Sequence, residues 1–170
     1  MTAPSCLQDF EDCLCASAAV IRYLLDTNII SEPAKPNPSE AVLSRLRKRS
    51  GEVALPSIAW HELMYGAKRM DEGRKQSYLL EYLQEVVRPS MPILPYDENA
   101  SHWHGIARAV LEQEGRPTSF ADGQIAAIAG TRDLVVVTEN TSDFQPFETL
   151  QGEHGGIRVE NWFKSENNAE

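Results

Sequence analysis

Short apolar runs alternate with amphipathic helical patterns along most of this chain, and that rhythm restricts the fold more than any other feature. The strand-like runs are 22–26, 52–55, 92–95, 134–138 and 156–159, the last the weakest. Helical patterns cover 38–50, 57–71, 74–88, 98–114 and 119–132. Tyr78, Leu79, Tyr82, Leu83 and Val86 form one helical stripe, and Trp103, Ile106, Ala107, Val110 and Leu111 form another. Ser39, Ser57 and Ser119 each stand where an N-cap should, while Gly115 and the pair Arg88-Pro89 mark two helix ends. Short strands alternating with helices predict an α/β fold around a mostly parallel sheet. In an open sheet of that kind, ligands bind beyond the carboxyl ends of the strands.

A length of 170 residues suits one domain with a single adequate core. Residues 1–21 carry no clear pattern and read as a poorly structured N-terminal extension; 22–164 form the domain and 165–170 a tail. No apolar run approaches the roughly 18 residues of a membrane span. The first residues lack a basic segment and carry Asp9, Glu11 and Asp12, unlike a signal peptide, so the expected location is the cytoplasm, away from membranes. Cys6, Cys13 and Cys15 are an odd set near the start, which indicates free thiols rather than a disulfide framework or zinc site. The net charge of −9 weighs against a nucleic-acid partner. The acids crowd 9–12 and 148–170, however, while bases cluster at Arg45, Arg47, Lys48, Arg49 and at Lys68, Arg69, Arg74, Lys75. Solvated helix faces and RNA contact both account for those clusters.

Four acids stand where a charge meets an apolar segment. Asp26 ends the run Tyr23-Leu24-Leu25 and precedes Thr27-Asn28; Asp143 follows the run 134–138 by a few residues. A turn made by Asp and Asn explains the first equally well, and a loop or helix cap the second. Glu62 shares a helix face with Ile58 and Gly66, and a glycine inside a helix costs about 1 kcal/mol relative to alanine, so it needs a reason such as room beside Glu62. Asp122 heads a stripe of Ile125, Ala126 and Ala129, but Ser119-Phe120-Ala121-Asp122 also resembles a capping box. Buried carboxylates are costly unless paired, hydrogen-bonded or metal-bound. If the fold gathers these four, a divalent cation is the natural counter-charge and a metal-dependent hydrolase the first hypothesis.

Other chemistries find less support. His102 and His104 lie two apart on a helix and do not face one another, and His61 and His154 are isolated. The chain has no P-loop, no G-x-G-x-x-G and no Gly-x-Ser-x-Gly elbow.

The ordered set Leu24-Leu25-Asp26-Thr27-Asn28, Ser57 to Gly66 with Glu62, Ala121-Asp122 with Ile125-Ala126-Ala127, and Val137-Thr138-Glu139-Asn140 with Asp143-Phe144 resembles a PIN domain. Within that family it is most similar to VapC-type toxins of bacterial toxin–antitoxin pairs, including their FitB-like branch, from about Arg22 to Trp162. The resemblance implies a PIN-like α/β/α sandwich and an endoribonuclease dependent on Mg²⁺ or Mn²⁺. It also implies a homodimer held in check by a cognate antitoxin protein, with structured RNA such as tRNA as a substrate. Asp26, Glu62, Asp122 and Asp143 match the family's acidic cluster, with Asp26 and Asp122 as the direct metal ligands by the same likeness. Thr138 and Asn140 match its polar support, beside Thr27 and Asn28. Two departures stand out: the extension at 1–21, and Glu139, an acid beside the cluster.

The expected chemistry is phosphodiester hydrolysis, in which divalent ions activate water and stabilise charge on the phosphoryl oxygens. Mg²⁺ takes a few carboxylates plus waters and substrate phosphates. The alternative is a catalytically silent PIN-like module that acts by binding a protein or RNA. Phosphotransfer folds fit less well, because Asp26-Thr27-Asn28 lacks a second Asp and no lysine follows Val137 at the place a receiver domain needs one.

Overall fold

The computed structural model describes residues 20–151 and 155–164. The cysteines and nearly all of the N-terminal extension lie outside those residues, as does the stretch 165–170. Five strands form one sheet in the order β3-β2-β1-β4-β5, every pairing parallel. They are β1 (Tyr23–Leu25), β2 (Val53–Pro56), β3 (Ile93–Leu94), β4 (Val135–Val137) and β5 (Arg158–Glu160). The chain builds β1 to β3 outward in one direction, then returns to lay β4 on the other side of β1. That reversal opens a crevice between the carboxyl ends of β1 and β4, where open α/β sheets bind ligands.

Alternation along the strands makes the two layers. Tyr23, Leu25, Val53, Leu55, Val135 and Val137 face one core; Leu24, Ala54 and Val136 face the other. The first face is covered by α1 (Thr27–Ser31), α2 (Glu40–Lys48), α3 (Ser57–Lys68) and α4 (Arg74–Glu81) with its continuation. The second is covered by α5 (Glu98–Gln113), α6 (Phe120–Gly130) and α7 (Thr141–Glu148). Both strand faces are therefore apolar, which is why these runs read as continuous rather than alternating hydrophobic segments. Each fully buried Leu, Ile or Phe contributes about 1.5–3 kcal/mol.

The structure corrects several local expectations. Helix α1 and a 3₁₀ turn at Glu32–Ala34 follow β1 at once; five residues are too few for a periodic signal, but Ile29 and Ile30 are buried. Helix α7 was hidden by Pro146, which lies inside it. Arg88-Pro89 does not end its helix. The chain passes from α4 through a π-helical stretch, Tyr82–Val87, into a turn at Arg88–Ser90, and stops at the extended Met91. Pro89 brings no N–H to that path, which ends one residue later at Ser90. Ser57 is the first residue of α3 rather than its cap, Ser39 makes no side-chain cap bond, and Ser119 caps as expected. Gly115, at φ 71°, does end α5 in a left-handed conformation. Val110 is exposed, so the inner stripe of α5 is narrower than its sequence suggests.

Candidate active site

Asp26 leaves β1 and becomes the N-cap of α1. Its own N–H donates to Val137 O at 3.0 Å, which ties it to the neighbouring strand. The residue is 8 % exposed, and its carboxylate is fully furnished with donors. Oδ1 accepts from Thr27 N at 2.7 Å and more weakly from Thr27 Oγ1 at 3.3 Å. Oδ2 accepts from Asn28 Nδ2 and from Thr138 Oγ1, both at 2.8 Å. Hydrogen bonds to a charged group are worth about 1.5–3 kcal/mol each, so they offset the burial of this charge.

Thr138 follows β4 and is fully buried. Its hydroxyl also accepts from Asn28 Nδ2 at 3.1 Å and from Asn140 N at 3.0 Å. Asn28 Oδ1 accepts from Glu139 N at 3.1 Å, while Asn161 Nδ2 donates to Glu139 O at 3.1 Å. The backbone of Glu139 is thus gripped from both sides and its side chain is left exposed. Asn161 was not singled out in the sequence; a lone Asn past a weak strand carries no signal for this contact.

The other three acids ride on helices. Glu62 lies midway along α3 with much of its surface open. Loss of water is the main reason its pKa is raised, followed by the negative charges of Asp26 and Asp122, with His61 pulling the other way. Asp122 is half-buried in the first turn of α6 and is likewise raised, chiefly by desolvation. The Ser119 hydrogen bond opposes that shift, and the charges of Asp143 and Asp26 add to it. Asp143 is exposed in the first turn of α7. The four acids therefore share one electrostatic neighbourhood, and among the described residues no lysine or arginine forms an ion pair with any of them.

Cap and site coincide at Asp122. Ser119 Oγ accepts from Asp122 N at 3.1 Å and donates to Asp122 Oδ2 at 2.5 Å. The carboxylate reaches the cap hydroxyl rather than the cap N–H, as its shorter side chain requires. Gly66 does make room, but for no protein atom: a methyl there would meet nothing within 4 Å. It borders a largely apolar cavity of about 410 Å³ that Glu62, Thr27, Lys75 and Tyr78 also line. The basic cluster on α2 is mostly satisfied locally, with Arg47 on Glu40, Arg49 on Glu52 and Arg45 on Asn161 O.

No three acid, histidine or cysteine side chains among the described residues form a ready-made metal cage. The donor set still suits a hard cation that keeps several waters: oxygen ligands only, negatively charged, and without a lysine or arginine ion pair among the described residues. The Glu62 carboxylate has no protein hydrogen bond among the described residues, and Asp122 Oδ1 is likewise open.

Residues 23–146 match the PIN domain family. Toxin FitB of Neisseria gonorrhoeae is 37% identical over 124 residues, spanning 71% of this chain and 89% of its own. The tRNA(fMet)-specific endonuclease VapC of Shigella flexneri is 31% identical over 143 residues, 84% of this chain and 99% of its own. Among solved structures, FitAB bound to an IR36 DNA fragment superposes with a TM-score of 0.73 at 29% identity, covering 86% of this chain and 99% of the matched one. DNA-bound VapBC from Salmonella typhimurium gives 0.68 at 32% identity, covering 84% and 99%. The chain belongs to the PIN-domain family, in the group of the VapC and FitB toxins.

Proposed function

We propose that this protein is the toxin of a toxin–antitoxin pair, an endoribonuclease that hydrolyses RNA phosphodiester bonds with Mg²⁺ or Mn²⁺. The observation that carries this reading is a set of carboxylates, Asp26, Glu62, Asp122 and Asp143, brought into one electrostatic neighbourhood at the sheet's switch point, with no lysine or arginine paired to them among the described residues. Asp26 and Asp122 would hold the cation. Bound there, it would lower the pKa of water and neutralise charge on the phosphoryl oxygens. Thr27, Asn28, Thr138 and Asn140 keep Asp26 and its surroundings in place. Glu62, made a stronger base than an ordinary carboxylate because burial and neighbouring negative charge raise its pKa, takes the proton of the attacking water, helped by Asp143. The water oxygen bonds to phosphorus as the bond to the leaving ribose oxygen breaks.

Relatives named as ribonucleases and a relative named for tRNA(fMet) support RNA as the substrate class, with tRNA the first RNA to try. Solved relatives captured as FitAB and VapBC complexes support an antitoxin partner. The apolar cavity beside Glu62 offers such a partner a seat next to the acids. The same reading expects a cytoplasmic protein and a homodimer, whose mass light scattering would report. No helix of the described residues is long and apolar enough to cross a membrane.

The test is to express the wild type and Asp26→Ala without antitoxin and map new RNA 5′ ends. Discrete ends with the wild type only, reproduced by purified protein with Mn²⁺ and abolished by EDTA, support the reading. Identical RNA from both cultures, with both proteins folded, would favour a silent binding module.

A further inference from the structure

Helix α6 carries a glycine near each end, and each glycine receives a ring from α5. At Gly130 an added methyl would stand 3.0 Å from Trp103 Cε2. At Gly123 it would stand 2.8 and 2.9 Å from His104 Cδ2 and Cε1 and closer still to Nε2. Only glycine lets the imidazole lie directly on the first turn of α6, one residue from Asp122. His104 is 2 % exposed, and its Nε2 has no hydrogen-bond partner.

The ring is aimed from its other side. Nδ1 lies 3.0 Å from Tyr96 Oη, and the Phe120 ring stands 5.0 Å away. The loop that bears Tyr96 is itself pinned to three helices. Tyr96 N donates to Ser57 Oγ of α3 at 3.3 Å. Asp97 caps α5 by accepting from Ala100 N at 3.0 Å, and it takes Arg132, just past the far end of α6, at 2.6 Å. With Nδ1–H donating to Tyr96, Nε2 turns a lone pair toward the Gly123 Cα–H, a weakly favourable contact; the other tautomer would press N–H against C–H. Burial, aided by the Arg108 charge, holds the imidazole below its ordinary pKa, in keeping with a neutral ring. A phenyl ring would fill the space without leaving a buried nitrogen unpaired. What the imidazole adds is direction, through Tyr96.

We infer that His104, aimed by Tyr96 and seated on Gly123, is a positioning residue that sets the first turn of α6 and with it the carboxylate of Asp122. The placement stands on packing alone; its consequence for metal rests on the ribonuclease reading above.

The experiment uses His104→Phe, Tyr96→Phe and the double variant, compared with wild type by amide hydrogen exchange in metal-free protein and by Mn²⁺ titration. The Asp122 and Gly123 amides, which donate to Ser119 Oγ and Ser119 O, report the first turn directly. Each single variant is expected to speed their exchange about tenfold, with Ala127 to Ala129 unchanged. Mn²⁺ affinity is expected to fall about fivefold, and the double variant to be no worse than the worse single, because both residues act through one contact. Wild-type exchange at Asp122 and Gly123 in both single variants would overturn the inference, as would acceleration spread evenly along α6, the mark of a merely structural ring. Faster exchange at the first turn in a protein whose wild type binds no Mn²⁺ would uphold the positioning and remove the metal reading instead. Tyr96→Phe, which deletes one hydroxyl, keeps the test open should His104→Phe fold poorly.

Discussion

The two sides of the crevice solve the problem of a carboxylate in opposite ways. On the strand side, Asp26 is almost sealed from water and each oxygen is met by donors from Thr27, Asn28 and Thr138. On the helix side, Glu62, Asp122 and Asp143 keep contact with solvent and have few donors, and burial together with neighbouring negative charge raises the cost of ionising Glu62 and Asp122. One side is organised by the protein's own donors; the other leaves its carboxylate oxygens largely without them. On the reading proposed above, the strand side would be the fixed half of an ion site and the helix side its adaptable half, as would suit a cation that must also accept water and a substrate phosphate.

The largest expected effect treats the two sides alike. Asp26→Asn and Asp122→Asn should each lower RNA cleavage by about 10³-fold or more, since each removes a ligand for a group that supplies several kcal/mol to the transition state. Cleavage rates against a labelled RNA would show it, and near-normal rates in Asp122→Asn would remove α6 from the site.

Stability separates the sides. Asp26→Ala strands buried donors on Asn28 and Thr138 and should cost about 3 kcal/mol in urea unfolding. Thr138→Val, which deletes the hydroxyl shared by Asp26, Asn28 and Asn140, should cost about 2 kcal/mol. Asp122→Asn, by contrast, should leave metal-free stability unchanged or raised, because it removes a charge the fold disfavours. A strong loss there would mean that Asp122 serves mainly as a cap.

The pH dependence follows from the same contrast. Glu62 and Asp122 have raised folded pKa values, so their contribution to metal-free stability is complete below the ordinary carboxylate value of about 4. It is lost as pH rises through the raised values. On the proposed reading Mn²⁺ binding needs Asp122 ionised, so Mn²⁺ affinity should run the other way and weaken as pH falls through the window around its raised value. Calorimetry across the window, in wild type and Asp122→Asn, would show whether the dependence belongs to these acids. The smallest effect is Gly66→Ala, which should stabilise by about 0.5–1 kcal/mol, since the methyl meets nothing and glycine is a poor helix former.

Much of the fold is legible in the residues themselves. The five strand runs and the long helices α3, α5 and α6 lie where periodicity puts them, because burial on both faces of a parallel sheet demands continuous apolar strands. What escaped was short or locally contradictory. Helix α1 is one turn beyond a strand, α7 contains Pro146, and Arg88-Pro89 begins a turn rather than ending one. In each case tertiary packing of Ile29, Phe144, Phe147 or Val87 outweighs local propensity.

The acids show the same division. Their identities and order, and the strand end after which Asp26 must fall, are written in the chain, since a charge closing an apolar run needs a reason whatever the fold. Distance in sequence says nothing about which acids meet, and that was decided by β4 returning to lie beside β1. The return brings Thr138 to Asp26 across 112 positions, and the packed helices set Asp122 within reach of the charges of Asp26 and Asp143. His104 illustrates the limit most plainly. Its partner in space is the absence of a side chain at Gly123, and a vacancy that makes room for a ring has no signature until two helices are packed together.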